Sequence, residues 1–201
     1  MPGLFALAFA LFGYLCGSLT FSIWITRALK GVDVRDAGSG HATTTNTIRQ
    51  AGFAAGALVL VLDVAKGFLP AWLALHYAPV TSRTWIAALT VAAAVAGHCW
   101  PIVGQFRGGM GLAAAGGGLL AAHPLAFLMG VAILIFLALV IHHGARASVI
   151  TAVAMAPAFW LAGLRGAEFW IGILDGVVLV IRFLSDWNRR YRELWLDRDK
   201  S

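Results

Sequence analysis

The sequence predicts an all-α integral membrane protein, a polytopic helical bundle of about seven transmembrane helices. Composition, run length and charge placement carry that prediction. Of the 201 residues, 60% are hydrophobic and 12% charged, whereas soluble domains run near about a quarter charged; mean hydropathy is +0.82. The apolar stretches are long and rich in Leu and Ala rather than alternating, which argues against a porin-type barrel. Seven spans of ~20 residues would use about 140 residues and leave roughly 60 for loops. A disordered chain, a disulfide scaffold and an ordinary soluble enzyme are excluded, and residues 1–201 read as one membrane domain.

The elements follow in order. Residues 4–25 carry no charge. With no basic segment before them and no small-residue cleavage site after them, they read as a retained helix rather than a signal peptide. A polar stretch, 27–49, precedes the second run, 51–77, which holds Asp63 and Lys66. The third run is 85–103, followed by a Gly-rich loop, 104–111. The fourth, 112–122, stops at His123-Pro124 and is short enough to cross only partly. The fifth is 125–141, the sixth 148–164, and the seventh 168–184 with Asp175 inside it. A charged, aromatic tail closes the chain. Cys16 and Cys99 lie within or at the end of apolar runs and read as small buried hydrophobes. Gly13/Gly17, Gly52/Gly56 and Gly172/Gly176 have the spacing of close helix contacts. No internal repeat is evident.

The net charge of +6 reads as loop charge, not as a nucleic-acid surface, because its distribution is one-sided. Alternating sides from the N-terminus puts Arg27, Lys30, Arg35, Arg49, Arg107, Arg146, Arg182, Arg189, Arg190, Arg192, Arg198 and Lys200 together. Only Arg83 and Arg165 fall opposite, and Lys66 is within a span. This is a positive-inside pattern. It places the N-terminus outside and the tail in the cytoplasm, with an odd number of spans.

Two polar segments fall on that cytoplasmic side. In residues 38–49, Gly38, Ser39, Gly40, His41, Thr45, Asn46 and Arg49 combine permissive backbone, hydroxyls, an amide and a cation at a helix start. They read as an anion site or, equally, as a Ser/Thr-rich cap with Arg49 snorkelling to headgroups. In residues 97–111, His98 and Pro101 precede Arg107, Gly108, Gly109, Met110 and Gly111. Successive glycine amides form phosphate nests; a re-entrant turn is the other reading, and the Gly-Lys-Ser/Thr ending of a Walker loop is missing. Asp63 and Lys66 share one helix face inside a span, as a functional pair or as a simple ion pair. Asp175 and Arg182, seven residues apart, read as a structural pair. His76, His123, His142 and His143 sit near span ends, where interfacial placement fits better than a metal site.

These segments resemble a known family. Gly38-Ser39-Gly40 followed by Thr45-Asn46 and Arg49 resembles the GSGNxGATNxxR segment of the bacterial glycerol-3-phosphate acyltransferases of the PlsY type. Residues 63–67 are similar to that family's DxxKG, and residues 97–111 to its GHxxPxxxxFKGGKG. The order, the spacing and the total length match over about residues 10–190.

The resemblance implies a seven-helix enzyme of the bacterial inner membrane with cytoplasmic active-site loops. Such an enzyme moves an acyl chain from acyl phosphate to the 1-hydroxyl of glycerol 3-phosphate. The product is lysophosphatidic acid, in phospholipid biosynthesis, and no metal or nucleotide cofactor is needed. On this basis Ser39, Asn46 and His98 are the candidate catalytic residues. Gly38, Gly40, His41, Thr45, Arg49, Lys66, Arg107, Gly108, Gly109 and Gly111 are candidate substrate-binding residues, with Lys66 and Asp63 as supporting groups. Ser39, Thr45, Asn46 and Arg49 would make phosphate and oxyanion contacts, and Arg107 with the glycine amides a second phosphate contact.

The chain departs from the pattern at named positions. Met110 stands where the second loop lysine is expected, His41 replaces an Asn, and Thr43-Thr44 replace Gly-Ala. The family's HxxNxxR segment aligns with residues 183–189, where Phe183 and Asp186 replace the His and the Asn and Arg189 is retained; Asp186 and Arg189 complete the candidate substrate-binding set. The alternatives are a non-catalytic or altered-substrate homologue that binds acyl phosphate or phospholipid, and an anion transporter. The clustering of polar motifs on one side opposes the transporter.

Overall fold

The computed structural model describes residues 2–189. Expectations for Arg190, Arg192, Arg198 and Lys200 lie outside the described residues. The described chain is all-α. Its helices are α1 (Pro2–Gly17), α2 (Phe21–Lys30), α3 (Thr44–Ala51), α4 (Phe53–Tyr77), α5 (Arg83–Cys99), α6 (Leu112–Ala122), α7 (Pro124–Ile141), α8 (Gly144–Leu161) and α9 (Ala167–Leu184), with a 3-10 turn at Val34–Asp36. Pro2–Lys30, Phe53–Tyr77, Pro124–Ile141 and Gly144–Leu161 are long and apolar enough to cross a membrane. At 11 residues, α6 is about 17 Å long, roughly half of a bilayer core.

The first apolar run is not one helix. It breaks at residues 18–20, directly after Gly17 ends α1. A break inside an apolar bundle leaves carbonyls without partners. Here the Lys66 ammonium, reaching from α4, donates to the Leu19 carbonyl at 2.8 Å. The second run also begins later than its hydropathy suggests. Thr44–Ala51 is a separate short helix, capped by the Thr43 hydroxyl accepting from the Asn46 amide N–H. The chain turns the corner into α4 at Gly52, whose φ of +94° favours glycine. The third run stops at Cys99, because Pro101 cannot continue a helix. Pro124 opens α7 at its first position, where the missing N–H costs nothing.

The glycine pairs divide. Gly13 and Gly17 of α1 lie directly on the backbone of α5, where an added Cβ would strike the carbonyls of Thr90 and Ala94. On α9, Gly176 lies on the Ala152 carbonyl of α8, while Gly172 packs more loosely against the Phe159 ring. Gly52/Gly56 is instead a corner, with Gly56 against Ile48 of the preceding helix. Alanines fill the centre: Ala71, Ala88, Ala114 and Ala115 are buried together. Small residues let backbones approach, which is how helices associate where lipid removes the hydrophobic drive. Cys16 is half-buried and Cys99 buried, both as free thiols. On α7, Leu125, Leu128, Ile135, Phe136, Leu139 and Val140 are exposed, as a lipid-facing helix requires.

Candidate active site

The C-terminal ends of α5, α7 and α9 and the N-terminal ends of α6 and α8 converge at one end of the bundle, closed by the two polar loops. Those loops are tied to each other. Asp33 accepts from the Arg35 guanidinium at 2.7 Å, and Arg35 donates to the carbonyls of Gly104 (2.7 Å) and Arg107 (3.1 Å). The hydrogen bond from Arg35 holds the Asp33 carboxyl below its ordinary range, against some desolvation. The Ala42 N–H donates to the Gly108 carbonyl at 3.2 Å.

Asn46 sits beneath the first loop, fully buried. Its amide nitrogen faces the carbonyls of Val34 (2.6 Å), Ala37 (3.0 Å) and His41 (3.1 Å), and its oxygen accepts from the Ser39 N–H (3.4 Å). The side chain is spent on shaping the loop, which corrects its expected phosphate contact. Gly38, with φ of +63°, is where an added Cβ would meet the Asn46 amide. It makes room for that clamp and is not on the cavity wall.

A cavity of about 610 Å³ opens between these loops and the helices. Its polar end is walled by Ser39, His41, Thr43, Thr44, Thr45 and Arg49, with Asp63, His98, Gly111 and Asp186 beside them. Thr44 and Thr45 form the first turn of α3, whose backbone N–H groups have no partners within the helix; positive helix-end charge and Arg49 together favour an anion. The rest of the wall is apolar, with Leu60 and Val64 on α4, Gly116 on α6, and Phe127, Val131 and Leu134 on α7.

Asp63 links the polar groups below. It pairs with Lys66 at 2.9 Å and lies 3.7 Å from His98 Nδ1. Lys66 is buried and directed at Leu19, so it is off the cavity wall. The structure leaves the supporting role and removes the direct substrate contact.

The glycine-rich loop is not an open amide nest. The Gly108 N–H donates to the Cys99 carbonyl (3.2 Å) and the Gly109 N–H to the His98 carbonyl (3.0 Å). An added Cβ at Gly108 would strike the His98 carbonyl, and one at Gly109 the His98 ring. These glycines permit close packing of the returning loop and do not offer donors to a ligand. Arg107 is exposed, is off the cavity wall, and takes part through its carbonyl. Gly40 and Arg189 are also off the wall; the two lie close, with 3.7 Å between an added Gly40 Cβ and an Arg189 guanidinium nitrogen.

Arg182, which by spacing would pair with Asp175, is off the cavity wall and holds a wall residue instead. Asp175 is fully buried and neither carboxylate oxygen has a hydrogen-bond partner among the described residues. Arg182 turns instead to the loops: its Nε donates to the Gly109 carbonyl at 2.8 Å and its Nη2 lies 3.0 Å from His41 Nδ1. His41 Nε2 lies 2.8 Å from Asp186 Oδ2. A guanidinium only donates, so Nδ1 accepts and Nε2 carries the proton given to Asp186. A cation in the last turn of α9, at the end where loop carbonyls gather, was the available signal.

The sequence model of the glycerol-3-phosphate acyltransferase family matches residues 7–193. The chain is 34% identical over 184 residues to a glycerol-3-phosphate acyltransferase of Aquifex aeolicus, covering 92% of this chain and 94% of that one. It is 38% identical over 185 residues to that of Methylobacillus flagellatus, covering 90% and 88%. A more local match, 47% over 109 residues, joins it to the enzyme of Shouchella clausii and spans about half of that protein, 52%. The crystal structure of PlsY, an integral membrane glycerol 3-phosphate acyltransferase, in its glycerol 3-phosphate form superposes with a TM-score of 0.79 at 33% identity, covering 92% of this chain and 90% of that one. With the helical fold, the motifs and the polar-to-apolar cavity, this chain belongs to the glycerol-3-phosphate acyltransferase family of integral membrane enzymes.

Proposed function

We propose that this chain moves an acyl group from an acyl phosphate to the 1-hydroxyl of glycerol 3-phosphate, releasing phosphate and leaving lysophosphatidic acid. The observation that carries this reading is a single cavity with two chemistries. Its Arg49 and Ser/Thr end suits phosphate, and its apolar length between α4, α6 and α7 suits an acyl chain. The glycerol 3-phosphate and lysophosphatidic acid forms of PlsY support the acceptor and the acylated product.

In the reaction the acceptor hydroxyl oxygen bonds to the acyl carbon and the carbon–oxygen bond to phosphate breaks. Acyl phosphate is already activated, so positioning and charge stabilisation are the protein's task. Arg49, Ser39 and the Thr44–Thr45 turn hold phosphate. Asp186, oriented by His41, takes the hydroxyl proton; Arg182 offsets the carboxylate's repulsion of phosphate. His98, buried and supported by Asp63, orients the hydroxyl. Asn46, Gly38, Lys66 and the 104–111 loop act by positioning.

We read the chain as one domain, whose described residues, 2–189, cross the inner membrane seven times, with the N-terminus outside and the site facing the cytoplasm. Arg27, Lys30, Arg35, Arg49, Arg107, Arg146 and Arg182 at the site end, against Arg83 and Arg165 at the other, support this orientation.

The test is phosphate release from a long-chain acyl phosphate by purified protein in lipid, with and without glycerol 3-phosphate. Release that requires the acceptor and is lost in Arg49→Ala is the expected result. No release from a folded sample at any acceptor concentration overturns the reading in favour of a binding homologue.

A further inference from the structure

Beneath the large cavity lies a second one of about 60 Å³. The two share Leu112, Gly116, Phe127, Val131, Leu134 and Ser148 in their walls. The smaller one lies deeper in the bundle. On α8 the large cavity is walled by Gly144, Ala145 and Ser148, and the small one runs from Ser148 to Met155, about 10 Å further along the helix. On α9 the wall passes from Phe183 to Leu179, and on α6 from Leu112 to Leu119. Among the described residues, the hydroxyls lining the small chamber are Ser148, which donates to the Gly144 carbonyl (2.9 Å), and Thr151, which donates to the Ala147 carbonyl (2.8 Å). What remains is hydrocarbon and the Met155 thioether, and apolar cavities of this kind stay dry.

A chamber this small is far below the ~300 Å³ of a self-standing ligand site. Resting on the acyl-transfer reading above, we infer that it receives the methyl end of the acyl chain, and that Phe127 and Gly130 set the chain length the enzyme prefers. Phe127 lines both cavities, and its ring lies on α6 where an added Gly116 Cβ would be 3.3 Å from Phe127 Cε2. Gly130 lines only the smaller cavity. An added Cβ there would lie 3.6 Å from both Leu119 Cδ1 and Met155 Sδ, ordinary contact that occupies the chamber without displacing either neighbour.

The experiment is a chain-length profile. Wild type, Gly130→Ala and Phe127→Leu are assayed in lipid with glycerol 3-phosphate and saturated acyl phosphates. Gly130→Ala is expected to move the optimum to shorter chains, with kcat/KM changing about fourfold for each methylene excluded, the equivalent of ~0.8 kcal/mol. Phe127→Leu is expected to move it to longer chains. Active variants whose profiles superimpose on the wild type overturn the inference while leaving acyl transfer standing. Wild type without turnover overturns the functional reading instead, and the chamber is then read by thermal stabilisation with alkyl phosphonates of graded length. A length optimum that shortens in Gly130→Ala sustains the chamber, and a length dependence unchanged by that variant overturns it.

Discussion

His41 and Asp186, 145 positions apart in the chain, meet at 2.8 Å on the cavity wall. Both are departures from the family pattern, and each supplies what the other needs: Asp186 gains a donor, and His41 is fixed between it and Arg182. Asp186→Asn keeps the shape and removes the base. Asn is the residue of the family pattern here, so the variant tests whether this chain relies on the carboxylate: reliance lowers acceptor-dependent phosphate release by up to about 10²–10⁴, mostly in kcat. His41→Ala should cost less in kcat and raise KM for glycerol 3-phosphate. Retention of wild-type kcat in Asp186→Asn would remove the carboxylate from the mechanism.

Asn46 gives a different signature. Asn46→Ala leaves the carbonyls of Val34, Ala37 and His41 short of a buried donor, a loss of about 1–3 kcal/mol. Thermal unfolding in detergent should show it as a lowered Tm. Asn46→Asp, isosteric but without the donating N–H groups, should be as destabilising. A normal Tm with lost turnover would instead assign Asn46 to the chemistry.

Hydropathy made the helices legible, because a bilayer admits few other arrangements for runs such as 125–141. The chemistry-bearing ends were legible from the motifs around Ser39 and His98. Three features were not, each because its cause is remote in sequence. At the break at residues 18–20 the Leu19 carbonyl finds its donor in Lys66, 47 positions on. The glycines at 108 and 109 carry the same sequence signal whether they bind phosphate or admit a neighbouring backbone, and only the contact with the His98 and Cys99 carbonyls decides. Arg182 lies on the same face as Asp175 by spacing, yet the loop carbonyl of Gly109 lies within its reach.

Met110 lines the cavity near the polar end, where a lysine is the family's residue. Met110→Lys should add one charge-assisted phosphate contact, about 1.5–3 kcal/mol, or roughly 10- to 150-fold in affinity. KM for the phosphorylated substrate should fall. An unchanged KM in a folded variant would show that this position does not face phosphate.

The Asp63–Lys66 pair should be indispensable to the fold at the α1–α2 break. Lys66→Met strands a buried carboxylate and the Leu19 carbonyl together, and breaking such a pair costs about 3–5 kcal/mol. The double variant Asp63→Asn/Lys66→Met should recover part of that loss, since no uncompensated charge remains. Unfolding midpoints of the two variants in one detergent settle it. A double variant no more stable than the single one would place the cost on the Leu19 carbonyl rather than on the orphaned charge.

Asp33 offers a pH test outside the membrane helices. Its carboxyl is held below its ordinary value of 3.8, chiefly by the Arg35 hydrogen bond. A depressed carboxyl contributes stability that is present above the unfolded value and is lost as pH falls through the folded one. Wild type should therefore exceed Asp33→Asn in Tm at neutral pH, by an amount corresponding to about 1 kcal/mol once solvent screening of the partly exposed pair is allowed for. The two curves should converge as pH drops below 3.8. Because Arg35 also grips the Gly104 and Arg107 carbonyls, the same variant should loosen the 104–111 loop, raising its amide hydrogen exchange at neutral pH. A Tm difference that stays constant down the acid range would mean that Asp33 acts by hydrogen bonding alone, with its charge contributing nothing.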